Sequence, residues 1–114
     1  MPERVVHGIL TELRGKEIVF GQGIDIRDEN RKLWTIHPDD RWDFNTLVES
    51  DGPYHKTPTE RRKTKWRDGL LTQAGYRVIH VDAELTKNKA YQTYLKDRLS
   101  EAILSQEKVV RIDA

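Results

Sequence analysis

Three side chains that can bind a metal ion or move a proton lie close together near the middle of the chain: Glu49, Asp51 and His55. Residues 46–48 before them form a short run that is typical of a buried strand. Side chains alternate across a strand, so Glu49 and Asp51 are predicted to share one face. The Gly-Pro pair at 52–53 ends the strand directly after Asp51. The spacing therefore predicts two carboxylates and an imidazole at the C-terminal end of a central strand.

Two carboxylates on one face form a hard-oxygen site, which favours Mg²⁺, with Mn²⁺ as the alternative. Without a cation between them the clustered acids would repel one another. A metal ion held there could polarise a phosphoryl oxygen and lower the pKa of a bound water. His55 could serve as general base or general acid near neutral pH, or it could be a surface histidine that caps a turn. His7, His37 and His80 lack comparable neighbours and are interpreted as structural.

Positive charge is concentrated in the segment that follows these acids. Residues 55–67 contain six basic residues and one acidic residue, although the whole chain carries a net charge of only +1. Segregation of this kind predicts a local phosphate-facing patch, and a solvated helix face is the alternative. The predicted DNA-binding residues are Lys56, Arg61, Arg62, Lys63 and Lys65.

Two stretches carry a resemblance to a known family: Val-Glu-Ser-Asp-Gly-Pro-Tyr-His at 48–55 and Lys-Trp-Arg-Asp-Gly-Leu-Leu-Thr-Gln-Ala-Gly-Tyr-Arg-Val-Ile-His-Val at 65–81. They resemble the restriction-endonuclease-like superfamily, and within it the branch of very-short-patch-repair (Vsr-type) and EDxHD homing endonucleases. The resemblance extends from Glu3 to about Leu104 and is specific in residues 47–81. It implies a Mg²⁺-dependent endonuclease that hydrolyses DNA phosphodiester bonds, with nicking of one strand per active site.

The resemblance also implies roles for acids outside the central motif. Glu3 matches a glutamate that reaches the active site from the first helix, although a carboxylate in a first helical turn also favours the helix dipole. Asp68 matches the last acid of the EDxHD pattern, or it pairs with Lys65 along a helix. Asp43 matches the metal-binding aspartate of the preceding strand, although Asp39 or Asp40 would leave more room for a hairpin. Asp51 stands where much of the superfamily carries lysine. The Vsr-like branch also lacks that lysine.

The apolar periodicity predicts helices at residues 3–14, 58–74 and 87–105, and Trp66, Leu70 and Ala74 are predicted to form the buried stripe of the second one. Strands are predicted at 17–26, 32–37, from about 42 to 51 and at 76–82, with a short edge strand possible at 109–112. The first three strands form a meander in this prediction. The fold class is α/β, a restriction-endonuclease-like α-β-β-β-α-β-α sandwich with a mixed central sheet.

Length and composition limit the remaining possibilities. The 114 residues are enough for one domain, so residues 1–114 are expected to form a single unit, alone or combined with additional DNA-binding elements. The chain has no cysteine and no apolar run of roughly 18 residues, so we expect a soluble cytoplasmic protein without a membrane partner. The alternatives to a nuclease are a non-catalytic DNA-binding or assembly subunit and a hydrolase of small phosphates.

Overall fold

The computed structural model describes residues 2–114, except for the side chains of Phe20, Tyr54 and His55. The helices are α1 (Pro2–Arg14), α2 (Pro58–Gln73) and α3 (Lys89–Leu104). The strands are β1 (Val19–Phe20), β2 (Ile24–Arg27), β3 (Leu33–Ile36), β4 (Asp40–Arg41), β5 (Thr46–Asp51), β6 (Arg77–Asp82) and β7 (Val109–Ile112). None of the helices in this part of the chain combines the length and the apolarity needed to cross a membrane.

The main sheet has five strands in the order β1-β4-β5-β6-β7. Its central strand, β5, pairs antiparallel with β4 and parallel with β6, and β6 pairs parallel with β7. Strands β2 and β3 form a separate antiparallel hairpin. The predicted mixed α/β class is therefore confirmed, and so is the central place of the strand that carries Glu49 and Asp51.

The sheet separates two apolar layers, and the alternation of side chains along β5 decides which residues enter each layer. Val48 packs with residues of α1 and α3 on one face, whereas Leu47 packs with α2 and the β2–β3 hairpin on the other. Glu49 and Asp51 have the same parity as Leu47, so they face α2. The hydrophobic pattern of β5 thus directs both carboxylates towards the helix that carries the basic segment.

Helix α2 begins and ends where its sequence predicts. The Thr57 side chain accepts a hydrogen bond from the Glu60 backbone N–H at 3.3 Å, and Gly75 has a left-handed φ of 95° just after the helix. Two of the three predicted stripe residues are wrong, because Trp66 is 48% exposed and Ala74 is exposed just after the end of the helix. The Trp66 ring meets that of Trp34 edge-on, with 4.7 Å between the ring centroids, at the margin of the hairpin. Leu70 is buried as predicted, and Leu71 is buried beside it.

The predicted meander is wrong because residues 17–26 do not form one strand. They divide into β1, in the main sheet, and β2, in the hairpin. The chain changes sheets at Gly21, where a β-carbon would collide with the carbonyl oxygen of Pro38. Strand β4 lies between the two strands predicted at 32–37 and from about residue 42, and the central strand begins at Thr46 rather than near residue 42. Short strands such as β1 and β4, with two residues each, are too brief to produce a period-2 pattern.

Candidate metal centre

The candidate site lies where two parallel strands end side by side. In the β5–β6 register Glu49 lies opposite His80 and Asp51 lies opposite Asp82. His80 has the same parity as Val78, which packs against the α2 side of the sheet, so its ring faces α2 as well. The buried side chain of Asp68 approaches from α2. Residues that are distant in sequence therefore converge at the carboxyl ends of β5 and β6.

The His80 ring links the two aspartates. Its Nδ1 lies 3.1 Å from Asp51 Oδ2, and its Nε2 lies 2.8 Å and 3.0 Å from the two carboxylate oxygens of Asp68. Burial by itself would lower the pKa of His80, but the interactions with Asp51 and Asp68 outweigh it and raise the pKa to about 9. The raised pKa favours a protonated His80 ring at neutral pH when no metal ion is bound.

The structure changes the interpretation of His80 and decides between the two interpretations of Asp68. His80, interpreted from the sequence as structural only, lies inside the acidic cluster. For Asp68 the sequence allows either a place in the site or a helical pair with Lys65. No Asp68–Lys65 ion pair occurs among the described residues, and Asp68 joins the site through His80.

Glu49 is buried beside this group, and only one of its two carboxylate oxygens accepts a hydrogen bond among the described residues. Its Oε2 accepts a hydrogen bond from Arg67 Nη1. Its Oε1 is buried and has no hydrogen-bond partner in the part of the chain that the structure describes. Burial raises the pKa of Glu49, and the contact with Arg67 opposes that shift. Such an unsatisfied buried acceptor is costly unless a ligand completes it.

The cluster could hold a metal ion. Glu49, Asp51 and His80 each offer one ligand atom, and these atoms lie within 4.8 Å of one another. The two carboxylates confirm the predicted pairing of Glu49 and Asp51 on one strand face. The third member, His80, takes a place that the sequence did not assign to it.

Asp39 is the further acid that lies beside this group. Its Oδ2 accepts a hydrogen bond from the Ser50 backbone N–H at 2.8 Å, and it lines a cavity of about 350 Å³ together with Glu3, Glu49 and Asp51. Burial raises the pKa of Asp39, partly offset by the Ser50 hydrogen bond. Glu3, predicted to reach the site from the first helix, is exposed on the wall of the same cavity.

Its neighbour Asp40 faces the opposite side of the sheet. There Asp40 Oδ1 lies 2.6 Å from His7 Nδ1, under helix α1. Asp40 lies opposite Val48 in the β4–β5 register, whereas Asp39, one residue before β4, lines the cavity of the site. Of the two alternatives that the sequence left open beside Asp43, Asp39 is the one that the structure places next to the cluster.

The prediction that Asp43 is the first metal-binding acid is corrected by the structure. Asp43 lies before β5, at the end of the strand opposite to Asp51, and it lines a different cavity. Its Oδ1 accepts hydrogen bonds from the backbone N–H groups of Asn45 and Thr46, at 3.0 Å and 2.8 Å. This side-chain turn interrupts the strand, so parity counted from Glu49 does not extend back to Asp43.

The predicted DNA-binding residues are exposed around α2, and they border two cavities. Lys63 lines the cavity of about 350 Å³. A larger cavity of about 880 Å³ is lined by Lys56, Arg61 and Lys65. Asp51 lines both, so the candidate metal centre lies between two surfaces that carry cations. Arg62 is exposed but lines neither of these cavities.

Sequence reasoning assigned no role to Arg67 in the site and overlooked Arg111, which lies 3.8 Å from both Asp51 and Asp68. The parity of β6 could have revealed His80, because parallel neighbours end at the same edge of a sheet. The predicted base His55 lies at a position whose side chain is outside the described part of the structure.

Comparison with known family models, curated proteins and solved structures finds no match for the chain.

Proposed function

We propose that the protein is a divalent-metal-dependent DNA endonuclease with a restriction-endonuclease-like fold of the Vsr-like branch. The observation that supports it most is the unpartnered, buried Oε1 of Glu49, near Asp51, which lines two cavities bordered by cations. An oxygen-rich pocket suits a hard cation, and the surrounding lysines and arginines suit a phosphate backbone. The two features together match a phosphodiester substrate.

The residues fit a hard metal ion such as Mg²⁺. Glu49 and Asp51 would hold it, with Asp39 on the same cavity wall as an additional oxygen ligand. When bound, the ion would polarise a phosphoryl oxygen and favour deprotonation of a water. His80 offers a third ligand atom when its ring is neutral. When protonated, as its raised pKa favours without a metal ion, it fits a different role. It orients the Asp51 carboxylate from behind, as partners of metal ligands commonly do.

Other residues of the cavity could accept the proton of the attacking water. Asp39 and Glu3 face the same space as Glu49, and the raised pKa of Asp39 brings it closer to neutral pH than an exposed aspartate. His55, which follows Asp51 by four residues, remains the predicted general base or acid. Arg67 holds Glu49 in place through Oε2 and leaves the buried Oε1 available to a ligand.

A non-catalytic DNA-binding subunit is the second candidate, and one observation favours it. Arg67 pairs with Glu49, and His80 lies 3.1 Å from Asp51, so each carboxylate already has a basic partner within the protein. Such a protein would retain the basic surface and bind DNA without cutting it.

Titration with Mg²⁺ and Mn²⁺ tests the site assignment directly. We expect Asp51→Asn to weaken divalent binding by roughly tenfold or more, because changes around a metal site commonly cost 10–100-fold in affinity. Calorimetric titration measures this loss. Asp43→Asn is the matched control, because an asparagine at 43 can still accept the two turn hydrogen bonds. Equal affinities for the wild type and Asp51→Asn would exclude Asp51 as a ligand.

DNA binding in EDTA tests the basic surface separately. The double change Arg61→Gln and Lys65→Gln should flatten the dependence of log K on log salt by about 1.8, since each lost phosphate contact removes about 0.9. Fluorescence anisotropy of a labelled duplex at several salt concentrations measures the slope. The double variant Lys89→Gln and Arg98→Gln on α3 is the control. An unchanged slope for the α2 variant would show that this face does not contact DNA.

A further inference from the structure

The last strand brings an additional cation to the candidate site. Strand β7 pairs with β6 so that Arg111 lies opposite His80. Its neighbours Val110 and Ile112 pack with the core on the α1 and α3 side of the sheet. Side chains alternate along β7, so Arg111 faces the α2 side, as His80 does.

The Arg111 guanidinium is held near the acids but is not hydrogen-bonded to them. Its Nη1 lies 3.8 Å from Asp51 Oδ2 and its Nη2 lies 3.8 Å from Asp68 Oδ2, both beyond hydrogen-bond distance. No hydrogen bond of its guanidinium is found within the described part of the chain. The side chain is 47% exposed and lines the cavity of about 880 Å³. Its N–H donors are therefore available to a ligand in that cavity.

The contacts around this cavity leave Arg111 available to an anion. The His80 ring lies 3.1 Å from Asp51 and 2.8 Å from Asp68, so Arg111 is not the only basic side chain beside these acids. Asp82, another acid of the cavity wall, has Lys56 Nζ at 3.1 Å.

Two further cations, Arg61 and Lys65, line the same space, and neither takes part in an ion pair among the described residues. One acid on this wall, Asp113, is likewise without an ion pair there. The wall carries four acids, Asp51, Asp68, Asp82 and Asp113, and four cations, Lys56, Arg61, Lys65 and Arg111. Because the His80 ring also lies beside Asp51 and Asp68, the donors of Arg61, Lys65 and Arg111 are not all used by these acids. A guanidinium with unused donors is suited to bidentate recognition of a phosphate.

We propose that Arg111 binds a backbone phosphate of the nucleic acid and, with Arg61 and Lys65, holds that phosphate directly beside the carboxylate cluster. This inference rests on the proposed function and adds to it the residue that places the substrate strand against the metal centre. Arg111 lies 3.8 Å from both aspartates and lines the same cavity as Arg61 and Lys65, so it connects these cations to the site.

DNA binding by Arg111→Gln in EDTA tests the proposal without any requirement for cleavage. Loss of one phosphate contact should flatten the salt slope by about 0.9, which corresponds to roughly fivefold weaker binding at 0.15 M salt. Arg98→Gln is a matched control, because Arg98 is 46% exposed and has a carboxylate oxygen of Glu101 at 3.6 Å, on another face of the protein. The control should keep the slope of the wild type.

Arg111→Lys provides a second variant. It keeps the charge, so the salt slope should remain that of the wild type, but it loses the bidentate geometry, so affinity should fall by about two- to fivefold. If Arg111→Gln does not fold, as judged by thermal unfolding, the lysine variant carries the test, and a loss below twofold would overturn the inference.

The outcomes separate the inference from the proposed function. A wild-type protein without salt-dependent DNA binding would overturn both. Salt-dependent binding by the wild type with an unchanged slope in Arg111→Gln would overturn only the role of Arg111. A flattened slope in Arg111→Gln, with Arg98→Gln unchanged, would support it.

Discussion

Asp51→Asn is expected to reduce Mg²⁺-dependent nicking of supercoiled plasmid by about 10³-fold. A metal ion stabilises transition-state charge by several kcal/mol, and each 1.4 kcal/mol corresponds to a factor of ten in rate. Asp51 is central to the site because it contacts His80 Nδ1 at 3.1 Å and lines both cavities. The rate is measured from the conversion of supercoiled to open-circular DNA over time.

Two controls make this result specific to the metal centre. Asp43→Asn should nick at the rate of the wild type, because Asp43 lies at the other end of β5 and its carboxylate holds a turn. Asp51→Asn should still bind DNA in EDTA, because the cations on α2 remain in place. Wild-type nicking by Asp51→Asn would remove Asp51 from the catalytic machinery.

The second large effect concerns stability as a function of pH in the absence of metal. The pKa of His80 is about 9 in the folded protein, against an ordinary value of 6.5. A raised pKa stabilises the folded state fully below pH 6.5, and this contribution is lost as the pH rises through 9. A difference of about 2.5 pKa units corresponds to about 3 kcal/mol. We therefore expect His80 to contribute about 3 kcal/mol more to stability at pH 6 than at pH 10.

Urea unfolding of the wild type and His80→Gln in EDTA measures this contribution. The difference in unfolding free energy between the two proteins should shrink by about 3 kcal/mol between pH 6 and pH 10. His37→Gln is the control, since the His37 side chain is exposed and its variant should follow the wild type. A difference that stays constant over this range would show that His80 is not a buried imidazolium.

The central motif could be predicted from sequence because its signals are local. The strand pattern before Glu49, the Gly-Pro stop and the capping Thr57 each act over a few residues, and the structure has β5 and α2 at those places. The failures have local causes too. Parity predicts a shared face only within one continuous strand, and the turn held by Asp43 ends that continuity before β5 begins.

The contacts that complete the site depend on sheet pairing rather than on spacing. His80 meets Asp51 because β5 and β6 are parallel and in register, and Arg111 joins them because β7 extends the same parallel sheet. Asp39 lies beside the site because it immediately precedes β4, which pairs antiparallel with β5. No periodicity in the chain specifies these registers, so the sequence predicted two acids of the site firmly and left the others open or assigned them elsewhere.

Incubation of the wild-type protein with supercoiled plasmid in Mg²⁺, in Mn²⁺ and in EDTA shows whether the protein is a metal-dependent endonuclease. We expect open-circular product with either metal ion and none in EDTA. Tight DNA binding without any product in either metal ion would contradict the endonuclease proposal and favour the non-catalytic DNA-binding subunit.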